Sequence, residues 1–178
     1  MAENIIPITY YVLFGVGIIA TITDFLRRKI YNWLTLPAIL VGLILNSILG
    51  SWWGLFDSLA GLLLGGIIFL ILGLMGMMGG GDVKLAAAVG ALIGWRMTVS
   101  AIYYGTLCGA VLALVWALLH GTLWATLKRL GRVGMAVAVP GMKPEAELTK
   151  SETEPMPYGV AISWGAIIAA FKVLPPVI

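Results

Sequence analysis

Charged residues, cysteine and histidine are scarce in this sequence. Lysine, arginine, aspartate and glutamate together make up 11% of its 178 residues, and there is one cysteine and one histidine. The single Cys108 excludes a disulfide framework and a cysteine-based metal site within the chain. His120 stands alone at the end of an apolar segment, so we expect it to be structural. No Gly-x-Ser-x-Gly or His-Glu-x-x-His motif indicates a serine or metal-dependent hydrolase.

Apolar residues, by contrast, make up 61% of the chain, against about 45–50% in ordinary soluble domains. This excess predicts an all-α polytopic membrane protein, since a spanning helix needs about 20 apolar residues. The first segment has no basic region and no small-residue cleavage site, so we expect a retained span and not a signal peptide. The apolar runs predict six transmembrane helices, over residues 5–23, 33–49, 55–78, 83–95, 97–119 and 158–177.

The fourth predicted helix, residues 83–95, is short and follows a glycine run, but the loop charges indicate that it crosses. Its roughly 13 residues, at about 1.5 Å each, cover about two-thirds of the hydrocarbon core. If all six helices cross, Arg96 and Lys172 lie on one side and the other basic residues on the opposite side. The positive-inside rule then predicts a multi-pass cell-membrane protein with both termini outside. The basic residues assigned to the cytoplasm are Arg27, Arg28, Lys29, Lys84, Lys128, Arg129, Arg132, Lys143 and Lys150.

One long polar stretch, residues 120–156, is expected to be a cytoplasmic loop within a single domain that covers residues 1–178. Its first part has the pattern of an interfacial helix, with aromatic and leucine residues interleaved with basic ones. Its second part is acidic and rich in proline and threonine, and we expect it to be flexible. The basic residues flank apolar segments and form no separate basic domain, so the expected partner is the lipid bilayer and not nucleic acid.

Two aspartates lie at predicted helix ends on the same side of the membrane. Asp24 ends the first predicted helix, and Asp82 begins the fourth directly after three glycines. Ionisable residues in membrane segments indicate function, and two carboxylates at one site can share a proton, activate water and polarise a carbonyl. Each aspartate could instead do no more than flank or cap a helix. The residues alone leave both the catalytic and the structural interpretation open. Asp57, beside Trp52 and Trp53, is assigned to the opposite interface.

The segments around these two aspartates resemble those of the prepilin peptidases, intramembrane aspartyl proteases also called type IV leader peptidases. Residues 79–82 read Gly-Gly-Gly-Asp, a GxGD motif, and GGGDVKLAAAVGALIGW is similar to the segment around that family's second catalytic aspartate. DFLRRKIYNWLTLP is similar to the segment that follows the family's first catalytic aspartate, a pattern written D-x5-I-P-N. Asp24, Ile30 and Asn32 match that spacing, and Tyr31 stands where proline is usual.

A third motif, MPYGVAISWGA at residues 156–166, is similar to the segment that opens the family's final span. The resemblance implies an enzyme that removes the short basic leader of pilin-like precursors, prepilins or preflagellins, at the cytoplasmic membrane face. It implies no cofactor and no metal, with Asp24 and Asp82 as the catalytic pair. The residues it implies in substrate binding or loop shaping are Gly79, Gly81, Lys84, Asn32, Pro157, Tyr158 and Gly159.

Several other charged residues have a functional and a structural interpretation. Lys84 fits either a group that acts near the catalytic pair or a lysine that extends to lipid headgroups. The basic run at residues 27–29 is expected to set the membrane topology. The acidic part of the polar stretch, which holds Glu145, Glu147, Glu152 and Glu154, could attract a basic leader or simply be solvated.

Two further readings of the sequence limit the function. Larger members of the family carry a cysteine-containing cytoplasmic domain after the first span, whereas this chain resembles the minimal form, and methylation of the new N-terminus is not supported by that form.

A different class would be a small ion- or proton-coupled transporter that uses Asp24 and Asp82 as ion sites. The chain shows no inverted repeat, and both acids lie at the predicted membrane edge, which favours the peptidase. The sequence leaves the oligomeric state open.

Overall fold

The described part of the protein is entirely helical. A computed structural model describes residues 8–121, 124 and 156–173. Within them the chain forms α1 (Ile8–Arg27), α2 (Asn32–Leu74), α3 (Gly80–Leu119) and α4 (Tyr158–Val173), and no strand occurs in those residues. The predicted all-α class is therefore confirmed.

The described residues form four continuous helices and not six, so the predicted helix count is not confirmed. The second and third predicted helices both lie in α2, and the fourth and fifth both lie in α3. The junctions are single non-helical residues, Ser51 (φ 54°, ψ −142°) in α2 and Gly94 (φ 74°, ψ 170°) in α3. The predicted helices are separated at residues 50–54 and at Arg96, whereas in the structure each break is one residue, Ser51 or Gly94.

α2 folds back on itself at Ser51. A straight helix of this length would extend about 65 Å, roughly twice the thickness of the hydrocarbon core. Instead, Gly42 before the bend packs against the Ala91 backbone, and Gly61 after it packs against Gly90, the neighbouring position of α3. Residues 32–50 and 52–74 are therefore two arms that lie side by side against the first part of α3.

Glycines and alanines form the contact between α2 and α3. A Cβ at Gly61 would clash with the Gly90 carbonyl oxygen, and a Cβ at Gly90 would clash with the Gly61 carbonyl oxygen. One turn further along, a Cβ at Gly65 would lie 2.5 Å from the Ala86 carbonyl oxygen. Small residues allow helices in membranes to approach this closely, since packing replaces the hydrophobic effect as the driving force.

α1 packs antiparallel to α4 and so carries its last turn to the start of α4. The Phe14 and Phe171 rings lie 5.1 Å apart, and a Cβ at Gly17 would lie 3.1 Å from Ile167 Cδ1. At the other end of the pair, Asp24 in α1 meets Gly159 in α4. The packing of α1 on α4 therefore places the C-terminal end of α1 beside the N-terminal end of α4.

The distribution of side chains fits an apolar solvent. α1, α2 and α3 are each long and apolar enough to cross a membrane. Large side chains such as Trp53 and Leu74 point outward, 84% and 80% exposed, while alanines such as Ala88 and Ala166 fill the interior. Three such helices indicate a membrane protein, because lipid covers outward apolar side chains that water would not.

The chain divides into two compact units, one formed by Met1–Gly109 with Pro157–Ile178 and the other by Ala110–Met156. The single domain over residues 1–178 stays a prediction. In the second unit, the His120 ring stacks on Trp116 with centroids 4.4 Å apart, in keeping with a structural histidine. The predicted interfacial helix and the acidic segment with Glu145, Glu147, Glu152 and Glu154 lie outside the described residues.

Candidate active site

The Asp24 carboxylate is buried in the last turn of α1 and is held by the start of α4. Asp24 is 6% exposed, and its Oδ2 accepts a hydrogen bond of 2.8 Å from the Gly159 backbone N–H. Gly159 lies in the first turn of α4, where N–H groups have no partner within the helix. The partial positive charge of a helix N-terminus also favours a carboxylate there. Asp24 is therefore fixed by a helix distant in sequence.

The Asp82 carboxylate is buried in the first turn of α3 and closes the glycine turn that precedes it. Asp82 is 8% exposed. Its Oδ2 accepts a hydrogen bond of 3.1 Å from the Gly79 N–H, and its own N–H donates to the Gly79 carbonyl, also at 3.1 Å. This reciprocal pair resembles a capping box, so Asp82 does stabilise its own helix start through one of its two carboxylate oxygens.

Ile30 connects the surroundings of the two aspartates. It is buried in the loop between α1 and α2. Its Cδ1 lies 2.8 Å from the point that a Cβ at Gly159 would occupy, and its Cβ lies 3.1 Å from the corresponding point at Gly81. Ile30 therefore packs against Gly159, whose N–H holds Asp24, and against Gly81, which directly precedes Asp82. An aspartate that only caps its own helix would not require this shared contact between separate helices.

Lys84 and Asn32 join α3 to α2 beside this pair. The Lys84 ammonium donates a hydrogen bond of 2.9 Å to the Asn32 side-chain oxygen, and Asn32 is the first residue of α2. Lys84 thus has a specific protein partner, which a lysine that only extends to lipid headgroups would lack. The contact also explains how one residue of the first motif and one of the second come to lie together.

Tyr31 takes the place of the proline that is usual in the first motif. Its backbone is extended, with φ −88° and ψ 141°, and it directly precedes the first residue of α2. The Arg27 guanidinium donates to the Tyr31 hydroxyl at 3.3 Å, and the Lys29 ammonium lies 5.7 Å from the centre of its ring. Cationic neighbours therefore hold the loop that a proline would otherwise stiffen.

The third motif supplies the start of α4. Pro157 is buried immediately before the helix, Tyr158 is its half-buried first residue, and Gly159 holds Asp24. The structure thus places the predicted site residues at the end of α1 and at the starts of α2, α3 and α4. The contacts of Ile30 were not predicted, although the residue matches the first motif. Nothing in the spacing of that motif shows that its side chain touches Gly159.

A second polar cluster lies about 18 Å further along α3 and is separate from the carboxylate pair. At the Gly94 bend, Asn46 donates to the Ala91 carbonyl at 3.0 Å and to the Leu92 carbonyl at 3.2 Å, and Ser58 donates to the Ala91 carbonyl at 2.5 Å. The Asp57 carboxylate contacts Gly94 where a side chain would stand. Asp57 was assigned to the interface with Trp52 and Trp53, and its position at this bend was missed.

The chemistry available at the site is that of two carboxylates and backbone N–H groups. Among the described residues, no group of three or more histidine, cysteine, aspartate or glutamate side chains could hold a metal ion. Two neighbouring carboxyl groups do not both ionise easily, so one can accept a proton while the other donates one. Nothing lies within 4 Å of the point that a Cβ at Gly80 would occupy, which leaves space there for another backbone to approach.

Comparison with known families gives one match. A family model described as the type IV leader peptidase family matches residues 11–114, which is more than half of the 178 residues. The match includes both aspartates and ends before α4 begins. Neither a search of curated proteins nor a search of solved structures gives a match.

Proposed function

This chain belongs to the type IV leader peptidase family, and from that membership we propose that it is an aspartyl endopeptidase with Asp24 and Asp82 as its catalytic pair. Its substrates are pilin-like precursors, prepilins or preflagellins, from which it removes a short basic leader that precedes an apolar helix. The observation that carries this proposal is that Ile30 packs against both Gly159, whose N–H holds the buried Asp24 carboxylate, and Gly81, which directly precedes the buried Asp82.

The proposed reaction is hydrolysis by general acid and base catalysis. The ionised carboxylate takes a proton from a water molecule as the water oxygen attacks the carbonyl carbon of the scissile peptide bond. The protonated carboxyl donates its proton to the carbonyl oxygen, which gives a neutral tetrahedral intermediate. The carboxyl that took the water proton then donates it to the leaving nitrogen, while the other carboxylate takes a hydroxyl proton from the intermediate, so that the C–N bond breaks and the pair returns to its starting state.

The proposed membrane arrangement is multi-pass, with both termini outside and the carboxylate pair at the cytoplasmic face. The basic residues of the α1–α2 loop and Lys84 support it, because they lie beside Asp24 and Asp82 and such residues stay in the cytoplasm. A precursor whose basic leader is cytoplasmic and whose apolar helix lies in the membrane would present its cleavage site at this level.

The test uses purified protein in detergent, a prepilin with an intact leader, and mass spectrometry of the product. We expect Asp24→Asn and Asp82→Asn each to abolish cleavage, because neither amide can serve as the acid or the base. Asp57→Asn is the matched control, since it makes the same chemical change at the Gly94 bend, and it should cleave the precursor. Unfolding temperatures of the three variants show whether each one is folded.

Full cleavage by either Asp24→Asn or Asp82→Asn would overturn the assignment of the pair. The transporter alternative predicts a different outcome, in which wild-type protein in liposomes takes up an ion and cleaves no prepilin of a tested panel. Both measurements use the same purified preparation, so an inactive preparation is recognised by its failure in both.

A further inference from the structure

Ile30 lies between the two glycine segments that hold the catalytic carboxylates. On one side, Ile30 Cδ1 and Asp24 Oδ2 are both 2.8 Å from the point that a Cβ at Gly159 would occupy. On the other side, Ile30 Cβ is 3.1 Å from the corresponding point at Gly81, the residue immediately before Asp82. One apolar side chain therefore touches the neighbours of both carboxylates.

The backbone of the α1–α2 loop fixes Ile30 in this place. Arg28 has a left-handed conformation, with φ 50°, and its N–H donates to the Asp24 carbonyl at 2.8 Å. Three residues later, Tyr31 is extended and its carbonyl accepts the Leu34 N–H at 3.1 Å. The chain thus turns at the end of α1 so that the Ile30 side chain lies beside the Asp24 carboxylate that precedes it.

Gly159 contacts the same Asp24 carboxylate directly. Its N–H holds Asp24 Oδ2 at 2.8 Å, and it is the one residue type that leaves room for both that oxygen and Ile30 Cδ1. A methyl group at residue 159 would displace the carboxylate, the isoleucine or the start of α4.

We propose that Ile30 and Gly159 are positioning residues for the catalytic pair: the Ile30 side chain sets the separation of Asp24 from Asp82, and the Gly159 N–H sets the orientation of Asp24. This inference rests on the proposed peptidase function. Neither residue takes part in proton transfer. Both act by holding the reacting oxygens in one geometry, for which a displacement of about 1 Å can lower the rate by about 10²-fold.

The test measures kcat and KM for the prepilin with Gly159→Ala, Ile30→Val and the double variant. We expect Gly159→Ala to lower kcat by about 10²-fold with little change in KM, because the geometry of the pair changes and the substrate-binding surface does not. Ile30→Val removes Cδ1, so the double variant relieves one of the two close contacts of the added methyl group and leaves the contact with Asp24 Oδ2. It should recover part of the kcat that Gly159→Ala alone loses.

The matched controls make the same chemical changes away from the pair. Gly15→Ala adds a methyl group to α1, where nothing lies within 4 Å of it. Ile167→Val removes one methyl group from a buried isoleucine of α4. Both should keep the wild-type kcat, and their unfolding temperatures in detergent give the purely structural effect of each change.

Three results would overturn the positioning role while the peptidase assignment stands. They are a wild-type kcat for Gly159→Ala, a loss that tracks the fall in unfolding temperature as in the controls, and a double variant no better than Gly159→Ala. Cleavage by Asp24→Asn or Asp82→Asn is the separate result that would overturn the peptidase assignment itself.

Discussion

At the scale of single residues, Lys84 shows what a hydrogen bond adds to a sequence motif. From the sequence it fits both a group near the catalytic pair and an ordinary interfacial lysine. The structure gives its ammonium a partner, the Asn32 side-chain oxygen at 2.9 Å. Because Asn32 begins α2 and Lys84 follows Asp82 in α3, the contact links the loop after Asp24 to the helix that carries Asp82.

A double-mutant cycle on Asn32→Ala and Lys84→Met measures this link. We expect the two residues to be coupled in the free energy of unfolding by about 0.5–1 kcal/mol, the lower part of the range for hydrogen bonds, because the pair is exposed. The cycle is measured by reversible unfolding in mixed detergent micelles. Additive effects of the two substitutions would show that Lys84 interacts with lipid or detergent and not with Asn32.

The sequence motifs predict most residues of the candidate site, but not the contacts that hold the two carboxylates in position. The motifs name both aspartates, Asn32, Lys84 and the start of α4, because those positions are close to one another in sequence or match a known spacing. The contact of Ile30 with Gly159 joins positions at opposite ends of the chain. It depends on the packing of α1 on α4, which no local pattern in the sequence specifies.

At the scale of helices, the bends at Ser51 and Gly94 explain why six predicted helices are found as four continuous ones, two of which bend. The segments GSWWG and GWRM interrupt the apolar runs, so the predicted helices are separated at residues 50–54 and at Arg96. At Gly94 a loop is unnecessary, because φ 74° and ψ 170° lie in a region that glycine adopts freely. The sequence therefore indicates where along the chain the helix direction changes. The backbone conformation of Gly94 determines the geometry of that change.

The bend at Gly94 also needs polar partners from α2. Gly94 lies about 18 Å along α3 from Asp82, which is less than the thickness of the hydrocarbon core. Backbone groups released from helical pairing at that depth have no water to bind, and must be satisfied by protein. Asn46 and Ser58 do this for the carbonyls of Ala91 and Leu92.

Removing these donors should destabilise the protein without a direct effect on catalysis. We expect Asn46→Ala and Ser58→Ala each to lower the free energy of unfolding by about 1–3 kcal/mol, because each leaves a buried carbonyl with fewer partners. Thr106→Ala is the control, since its hydroxyl bonds only to its own helix, at Ile102, on an exposed face. Unfolding in detergent gives the comparison, and an Asn46→Ala variant as stable as Thr106→Ala would contradict the role of Asn46.

At the scale of the whole molecule, the arms of α2 allow the proposed topology to be tested. Residues 32–50 rise about 28 Å, close to the thickness of the hydrocarbon core. If that arm crosses the membrane, the loop with Lys29 and the bend near Trp53 lie at opposite faces. Charge supports the same arrangement, because the basic run at residues 27–29 lies at one end of the arm and the two adjacent tryptophans at the other.

Cysteine labelling of intact cells tests this arrangement directly. The chain has one cysteine, so Cys108→Ala gives a background into which Lys29→Cys or Trp53→Cys is introduced. A membrane-impermeant maleimide should label Trp53→Cys from outside, and should label Lys29→Cys only after the membrane is permeabilised, because the basic loop stays in the cytoplasm. Labelling of both from the same side would mean that residues 32–50 do not cross. The reversed pattern would place Asp24 and Asp82 at the outer face, away from a cytoplasmic leader.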